Sequence, residues 1–147
     1  MESEYEITND ASRFDVEMIH RFLAGSYWAR GVPRAVVEKS IRNSLGFAAL
    51  YGTQQVGFAR VTTDYATIGI VGDVFVVPEH RGRGVSKMLM GAIISHPELQ
   101  GLRRLMLATR DAHGLYAQFG FEPLSQPEMF MSIHYPDIYA SRAGEVG

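Results

Sequence analysis

The chain contains no cysteine. Structural disulfides and thiolate zinc sites are therefore excluded, and so is a cysteine nucleophile. Tryptophan occurs once, and none of the five histidines falls in the H-E-x-x-H spacing of a zinc hydrolase. No apolar run approaches a bilayer-spanning length, so no membrane association is expected. The formal net charge of -2 gives no broad attraction to nucleic acid or to an anionic surface. Any polyanion site has to be local. Repeats and low-complexity linkers are lacking too, and the acidic start, Met1 to Glu6, has neither the basic nor the apolar part of a secretory signal. The expected compartment is the cytoplasm.

What is present has the balance of a soluble globular domain, with 46% hydrophobic and 20% charged residues. At 147 residues the chain can bury one core unaided, and a single domain over residues 1–147 is expected.

Hydrophobic periodicity gives the element order. Residues 5–8 read as a short strand. Ser12 or Asp15 then caps a helix whose face is Val16, Ile19, Phe22 and Leu23, closed by Gly25. Residues 26–32 form an aromatic loop with Tyr27 and Trp28, which either packs on the core or covers a pocket. Pro33 opens a second helix carrying Val37, Ile41 and Leu45. Residues 46–51 and 55–61 are strand-like runs joined by a turn at Gly52, and residues 63–67 turn the chain again. From Ile68 to Val77 the apolar character holds on both parities, as in a central strand covered on both faces, and only Asp73 breaks it.

A helix follows with Val85, Met88, Leu89, Ala92 and Ile93 on one face, ended by His96-Pro97. Residues 102–108 are expected as a strand, residues 112–119 as a short helix stopped by Gly120, residues 129–133 as a last strand, and residues 141–147 as a frayed tail.

The densest chemistry lies where the central strand meets its helix, at Arg81-Gly82-Arg83-Gly84-Val85-Ser86-Lys87. Glycine allows close approach to the backbone, and the first N–H groups of a helix lack internal partners, so such a turn binds anions. The positions do not make a Walker loop, since Gly84 is followed by Val85 and Ser86 rather than by Lys and Ser/Thr. A dinucleotide fingerprint would place its last glycine at Lys87.

The remaining pattern, Arg81, Gly84 and Ser86 after a strand ending Val76-Val77-Pro78, resembles the acyl-CoA binding motif of the GNAT (Gcn5-related) N-acetyltransferases. Downstream, Ala112, Leu115-Tyr116 and Gly120-Phe121 resemble that family's second signature, in the family's order. Two departures stand out: Ser86 where glycine or alanine is usual, and Thr109 where asparagine is frequent.

The resemblance implies an α/β (α+β) fold, with a mixed, mostly antiparallel sheet splayed at the coenzyme strand and about four flanking helices. It implies acetyl-CoA as co-substrate, with no metal. The pyrophosphate would sit on backbone N–H groups from Arg81, Gly82, Arg83, Gly84, Val85 and Ser86. The helix field contributes ~0.3–1 kcal/mol per charge at an exposed terminus. Arg81, Arg83 and Lys87 are either phosphate or ribose contacts or solvated helix-start residues. Val74, Phe75 and Val76 would offer backbone groups to the pantetheine arm and the thioester carbonyl, and Thr109 belongs to the same neighbourhood by its motif position.

The reaction implied is direct attack of a neutral primary amine on the thioester, through a tetrahedral intermediate, with no acyl-enzyme. Tyr116 matches the tyrosine near the leaving sulfur. Full proton donation from an unperturbed phenol (pKa about 10) to a thiolate (about 8.5) is uphill by roughly 2 kcal/mol, so a hydrogen bond can suffice. Asp73, a carboxylate in an apolar strand, is either a general base raised in pKa or half of a structural pair. His80 and His113 rank behind it as proton carriers. A small-molecule acceptor is favoured over a protein, and a homodimer is compatible with the sequence. The alternative is a catalytically silent acyl-CoA sensor.

Overall fold

Five strands make one sheet in the order β1-β2-β3-β4-β5, in a computed structural model that describes residues 4–140. They are β1 (Tyr5–Thr8), β2 (Leu45–Tyr51), β3 (Gln54–Thr63), β4 (Ile68–Val76) and β5 (Arg104–Leu107). Successive strands β1 to β4 pair antiparallel, whereas β5 lies parallel to β4. The helices are α1 (Val16–Ala24), α2 (Arg34–Arg42), α3 (Val85–Ser95) and α4 (His113–Ala117). The mixed, mostly antiparallel sheet is the one expected, and these four α-helices among the described residues flank it.

The helices begin where local chemistry permits. The Asp15 carboxylate accepts from the N–H of Met18 and caps α1, while Asp10 caps a short 3-10 turn before it. Pro33 stands at the start of α2, and α3 stops before His96-Pro97, because proline cannot donate to the preceding turn. Between β3 and β4 the Asp64 carboxylate accepts from the N–H groups of Ala66, Thr67 and Ile68 and from the Thr67 hydroxyl. Those bonds, with the Thr67 hydroxyl first, hold its pKa well below the usual carboxylate range.

Side chains alternate across the sheet, which buries two separate clusters. Phe47, Val56, Val61 and Val71 pack with Leu89, Met90 and Ile93 of α3. Phe58 and Phe75 pack on the other face with Ile19, Leu23 and Val37 of α1 and α2. Phe22 of α1 stacks on Phe75 with ring centroids 4.0 Å apart and planes 7° from parallel. Consecutive Phe75 and Val76 thus serve opposite cores, which is why this strand reads as apolar on both parities.

Two expectations need correcting or bounding. Residues 129–133 do not form a strand: Met129 ends a 3-10 turn (Pro127–Met129) and residues 130–135 have no regular structure. A strand needs a neighbour to satisfy its backbone, and residues 130–134 make no backbone pairing with β5 among the described residues. The tail expected at residues 141–147 lies outside the described residues.

Candidate active site

The site begins with a strand that outlasts its partner. β4 pairs with β5 from Ile68↔Arg104 to Val71↔Leu107, yet β4 continues to Val76. From Gly72 onward its β5-facing edge is open. On the other edge the ladder is irregular: β3 advances from Phe58 to Arg60 while β4 goes from Phe75 back to Gly72. The surplus residue is a β-bulge at Asp73 and Val74, and Asp73 takes a left-handed φ of 53°. A bulge bends its strand and leaves backbone groups outside the ladder, so this part of β4 presents polar backbone to the gap.

The turn after β4 is bound down from two sides. Arg81 donates from Nε to the carbonyl of Val76 at 2.9 Å. The Tyr5 hydroxyl lies 2.8 Å from His80 Nδ1 and accepts from Arg83 at 3.4 Å, which ties the turn to β1. Gly82 and Gly84 have φ of 77° and 81°, a region costly for other residues. Gly84 is the N-cap of α3 and supplies no side-chain acceptor, so the first-turn N–H groups have no capping side chain.

Tyr116 faces the gap from α4. Its short helix ends in a Schellman motif: Phe121 N–H donates to the Tyr116 carbonyl and Gly120 N–H to that of Ala117, with Gly120 at φ 93°. The hydrophobic contact that accompanies this motif is the edge-on pair of Tyr116 and Phe121, with centroids 6.0 Å apart. Burial, and after it the proximity of Tyr27 and Asp111, pushes the Tyr116 phenol above its ordinary value of 10.0. Its hydroxyl makes no hydrogen bond among the described residues.

The aromatic loop closes the opposite side. Trp28 donates its indole N–H to Oδ1 of Asp73 at 2.9 Å, and Arg60 Nε donates to Oδ2 at 2.6 Å. Arg110 lies over the Tyr27 ring at 3.9 Å. These parts enclose a cleft of about 690 Å³, lined among others by Val74, Val76, Arg81, Ser86, Tyr27 and Tyr116. An open strand edge, a helix start without a cap and a buried phenol converge on one space.

The sequence pattern of the acetyltransferase (GNAT) family matches residues 6–121, most of the chain. The chain belongs to the GNAT family. A solved GNAT-family structure from Xanthomonas campestris pv. campestris is 50% identical, covering 92% of this chain and 96% of that one with a TM-score of 0.91. A Gibberella zeae protein, provisionally named an acetyltransferase, is 29% identical over 138 residues, spanning 78% of this chain and 77% of its own. Glucosamine-6-phosphate N-acetyltransferase from Arabidopsis thaliana is 14% identical, with a TM-score of 0.62 over 91% of this chain and 99% of that one, a likeness of fold. GNAT enzymes use acetyl-CoA as co-substrate.

In this GNAT chain the expected site residues other than Asp73 fall into three groups. Val74, Phe75, Val76, Arg81, Ser86 and Tyr116 line the cleft. Gly82, Arg83, Gly84 and Lys87 belong to the turn and the start of α3, where Val85 is turned into the core. Thr109 lines a second groove, beside β5, which shares Tyr116 with the cleft, and its hydroxyl accepts from the N–H of Ala112 at 3.1 Å. Asp73 is engaged through both oxygens, the paired arrangement of its two readings. His113 lines the β5 groove, and His80 lies at the Tyr5 tether.

Arg21, Phe22 and Leu115 also line the cleft, and sequence reasoning did not place them there. The signal available for Phe22 was its position on the apolar face of α1. For Arg21, its neighbour on that helix, there was none.

Proposed function

We propose that this protein transfers an acetyl group from acetyl-CoA to a primary amine. The observation that carries this reading is the divergence of β4 from β5 after Val71↔Leu107, directly before a glycine turn and a helix start without a capping side chain. The open edge suits the amide-rich pantetheine arm. The turn suits the pyrophosphate, through N–H groups of residues 82–86 and the field of α3. Ser86, small and on the cleft, adds a hydroxyl donor at the position where the family usually has glycine or alanine.

The thioester supplies the activated acetyl group. The amine nitrogen forms the new C–N bond, the C–S bond breaks, coenzyme A departs as a thiolate, and the nitrogen loses its proton to water in the open cleft. The protein contributes position and a donor at the developing oxyanion, the role assigned to a β4 N–H within residues 74–76. Tyr116 serves the leaving sulfur. Because burial raises its pKa, complete transfer of its proton is more uphill than for an exposed phenol, so it acts as a hydrogen-bond donor.

Asp73 is assigned a positioning role. Its carboxylate ties Trp28 to the bulge and to Arg60, fixing the aromatic loop at the cleft mouth. The acceptor is read as a small-molecule amine entering past Tyr27 and Trp28, whose partly exposed rings form an apolar wall. A panel of amines with acetyl-CoA, read by free thiol, tests the proposal. Thiol release that depends on one class of amine is the expected result. Coenzyme binding with no release for any amine would instead mark a silent sensor.

A further inference from the structure

The cleft carries charge of one sign. Its lining includes the guanidinium groups of Arg21 and Arg81 and no carboxylate. Asp73, which holds Trp28 at the mouth, is already matched by Arg60 at 2.6 Å.

Two of the arginines at this space have no anionic partner. Among the described residues the ion pairs take up Arg13, Arg34 and Arg60, and Arg81 directs its Nε to the Val76 carbonyl. Arg21, exposed in the last turn of α1, and Arg110, exposed beyond the end of β5, make no hydrogen bond or ion pair among the described residues. Asp111 follows Arg110 in the chain and makes no ion pair with it.

Arg110 is nonetheless held in place. Its guanidinium carbon lies 3.9 Å from the centroid of the Tyr27 ring, and Tyr27 lines the cleft. Tyr27 meets Trp28 edge-on at 5.1 Å, and Trp28 is tied in turn to Asp73. The same ring is close enough to Tyr116 to help raise its phenol, so Arg110 stands at the Tyr116 end of the cleft. Stacking occupies the face of a guanidinium and leaves its in-plane N–H edge free for two parallel bonds to an oxyanion. A fork placed in advance loses little freedom when it binds.

We propose that the acceptor amine carries an oxyanion, a carboxylate or a phosphate, which Arg110 binds from its Tyr27 platform while Arg21 adds to the attraction. This rests on the acetyl-transfer reading of the cleft. A second amino group on the acceptor would find no carboxylate on the lining, so polyamines are selected against. Positive surroundings also favour the neutral form of the attacking nitrogen, which is the form that reacts.

Matched amines in the thiol-release assay test this: glycine and β-alanine against their amides for the carboxylate, and phosphoethanolamine against ethanolamine for the phosphate. An oxyanion-bearing member is expected to exceed its neutral partner in kcat/KM by about tenfold or more, as for one hydrogen-bonded charge contact, and the pair that does so identifies the oxyanion. In Arg110→Gln that ratio should fall toward one through the KM of the amine, with the rise of Tm on adding acetyl-CoA retained. Arg110→Lys keeps the charge without the planar fork and should fall between the two. Neutral partners that match or exceed the charged ones in the wild type overturn the proposal and leave acetyl transfer standing. So does a ratio unchanged in Arg110→Gln. Loss of the acetyl-CoA response in that variant, with an unchanged circular dichroism spectrum, would assign the guanidinium to the coenzyme and overturn it too. No release with any amine would fail the transfer reading, and this proposal with it.

Discussion

The indole N–H of Trp28 donates to the Asp73 carboxylate at 2.9 Å, joining the α1–α2 loop to the bulge in β4. The other carboxylate oxygen holds Arg60 at 2.6 Å, so one left-handed residue fixes both the loop and the strand. Asp73→Ala removes both bonds and leaves a side chain poorly suited to φ 53°. It should cost about 2–3 kcal/mol in urea unfolding, the range for bonds to a charged group. Asp73→Asn keeps an acceptor and tolerates the left-handed region, so it should cost less. It should also lower kcat by less than about tenfold and keep the acidic limb of the pH–rate profile, since general-base losses are about 10²–10⁴-fold. Loss of that limb in Asp73→Asn would make Asp73 the base.

Tyr116→Phe keeps the ring that packs on Phe121 and removes only the hydroxyl. The expected result is a fall in kcat of about 10²-fold, with acetyl-CoA affinity changed by less than about twofold. Burial raises this phenol above 10.0, so the neutral donor persists through neutral pH. Wild-type kcat should therefore show no alkaline loss from Tyr116 until above that value. An equal loss of kcat and coenzyme affinity would place the hydroxyl in binding.

The Asp64 turn sets an acid dependence. Its carboxylate is held below the ordinary 3.8 by the Thr67 hydroxyl and three backbone N–H groups, so the folded state favours the charged form. The stability it contributes is complete above 3.8 and is lost as pH falls below that toward the depressed folded value. Urea midpoints from about pH 5 down to about pH 2.5 should fall more steeply for wild type than for Asp64→Ala. Parallel slopes would show that the turn does not hold the charge.

Gly84→Val separates binding from folding. A Cβ at Gly84 meets nothing within 4 Å, so there is open space beside the backbone, though φ 81° imposes strain of about 1–2 kcal/mol. The added methyl groups would stand where the turn is proposed to take the pyrophosphate. The variant should fold with a modestly lower Tm and lose its response to acetyl-CoA. Unchanged affinity would move the phosphate site elsewhere.

What was legible in the sequence was what depends on near neighbours. The two-sided apolar run of β4, the periodicity of α3 and the Gly120 stop are encoded within a few residues each, and all are found. The motifs led to the lining given by Val74, Phe75, Val76, Arg81, Ser86 and Tyr116. Asp73 was legible as an anomaly that is either a base or a structural pair, but its partners were not, because they lie 13 and 45 residues away and meet it only through strand register and a bulge. The expected strand at residues 129–133 failed for a related reason: alternation gives a segment the composition of a strand, and a neighbour makes it one. Thr109 follows its motif position in sequence, yet its hydroxyl serves the local turn before α4.

The central claim is that acetyl-CoA binds in the cleft between β4 and Tyr116, over the turn that starts α3. Thermal unfolding of the wild-type chain with increasing acetyl-CoA tests it most directly, because a ligand at 100 times its dissociation constant stabilises the native state by ~2.7 kcal/mol. The account predicts a Tm that rises with acetyl-CoA concentration. A Tm that does not move at millimolar acetyl-CoA would contradict it.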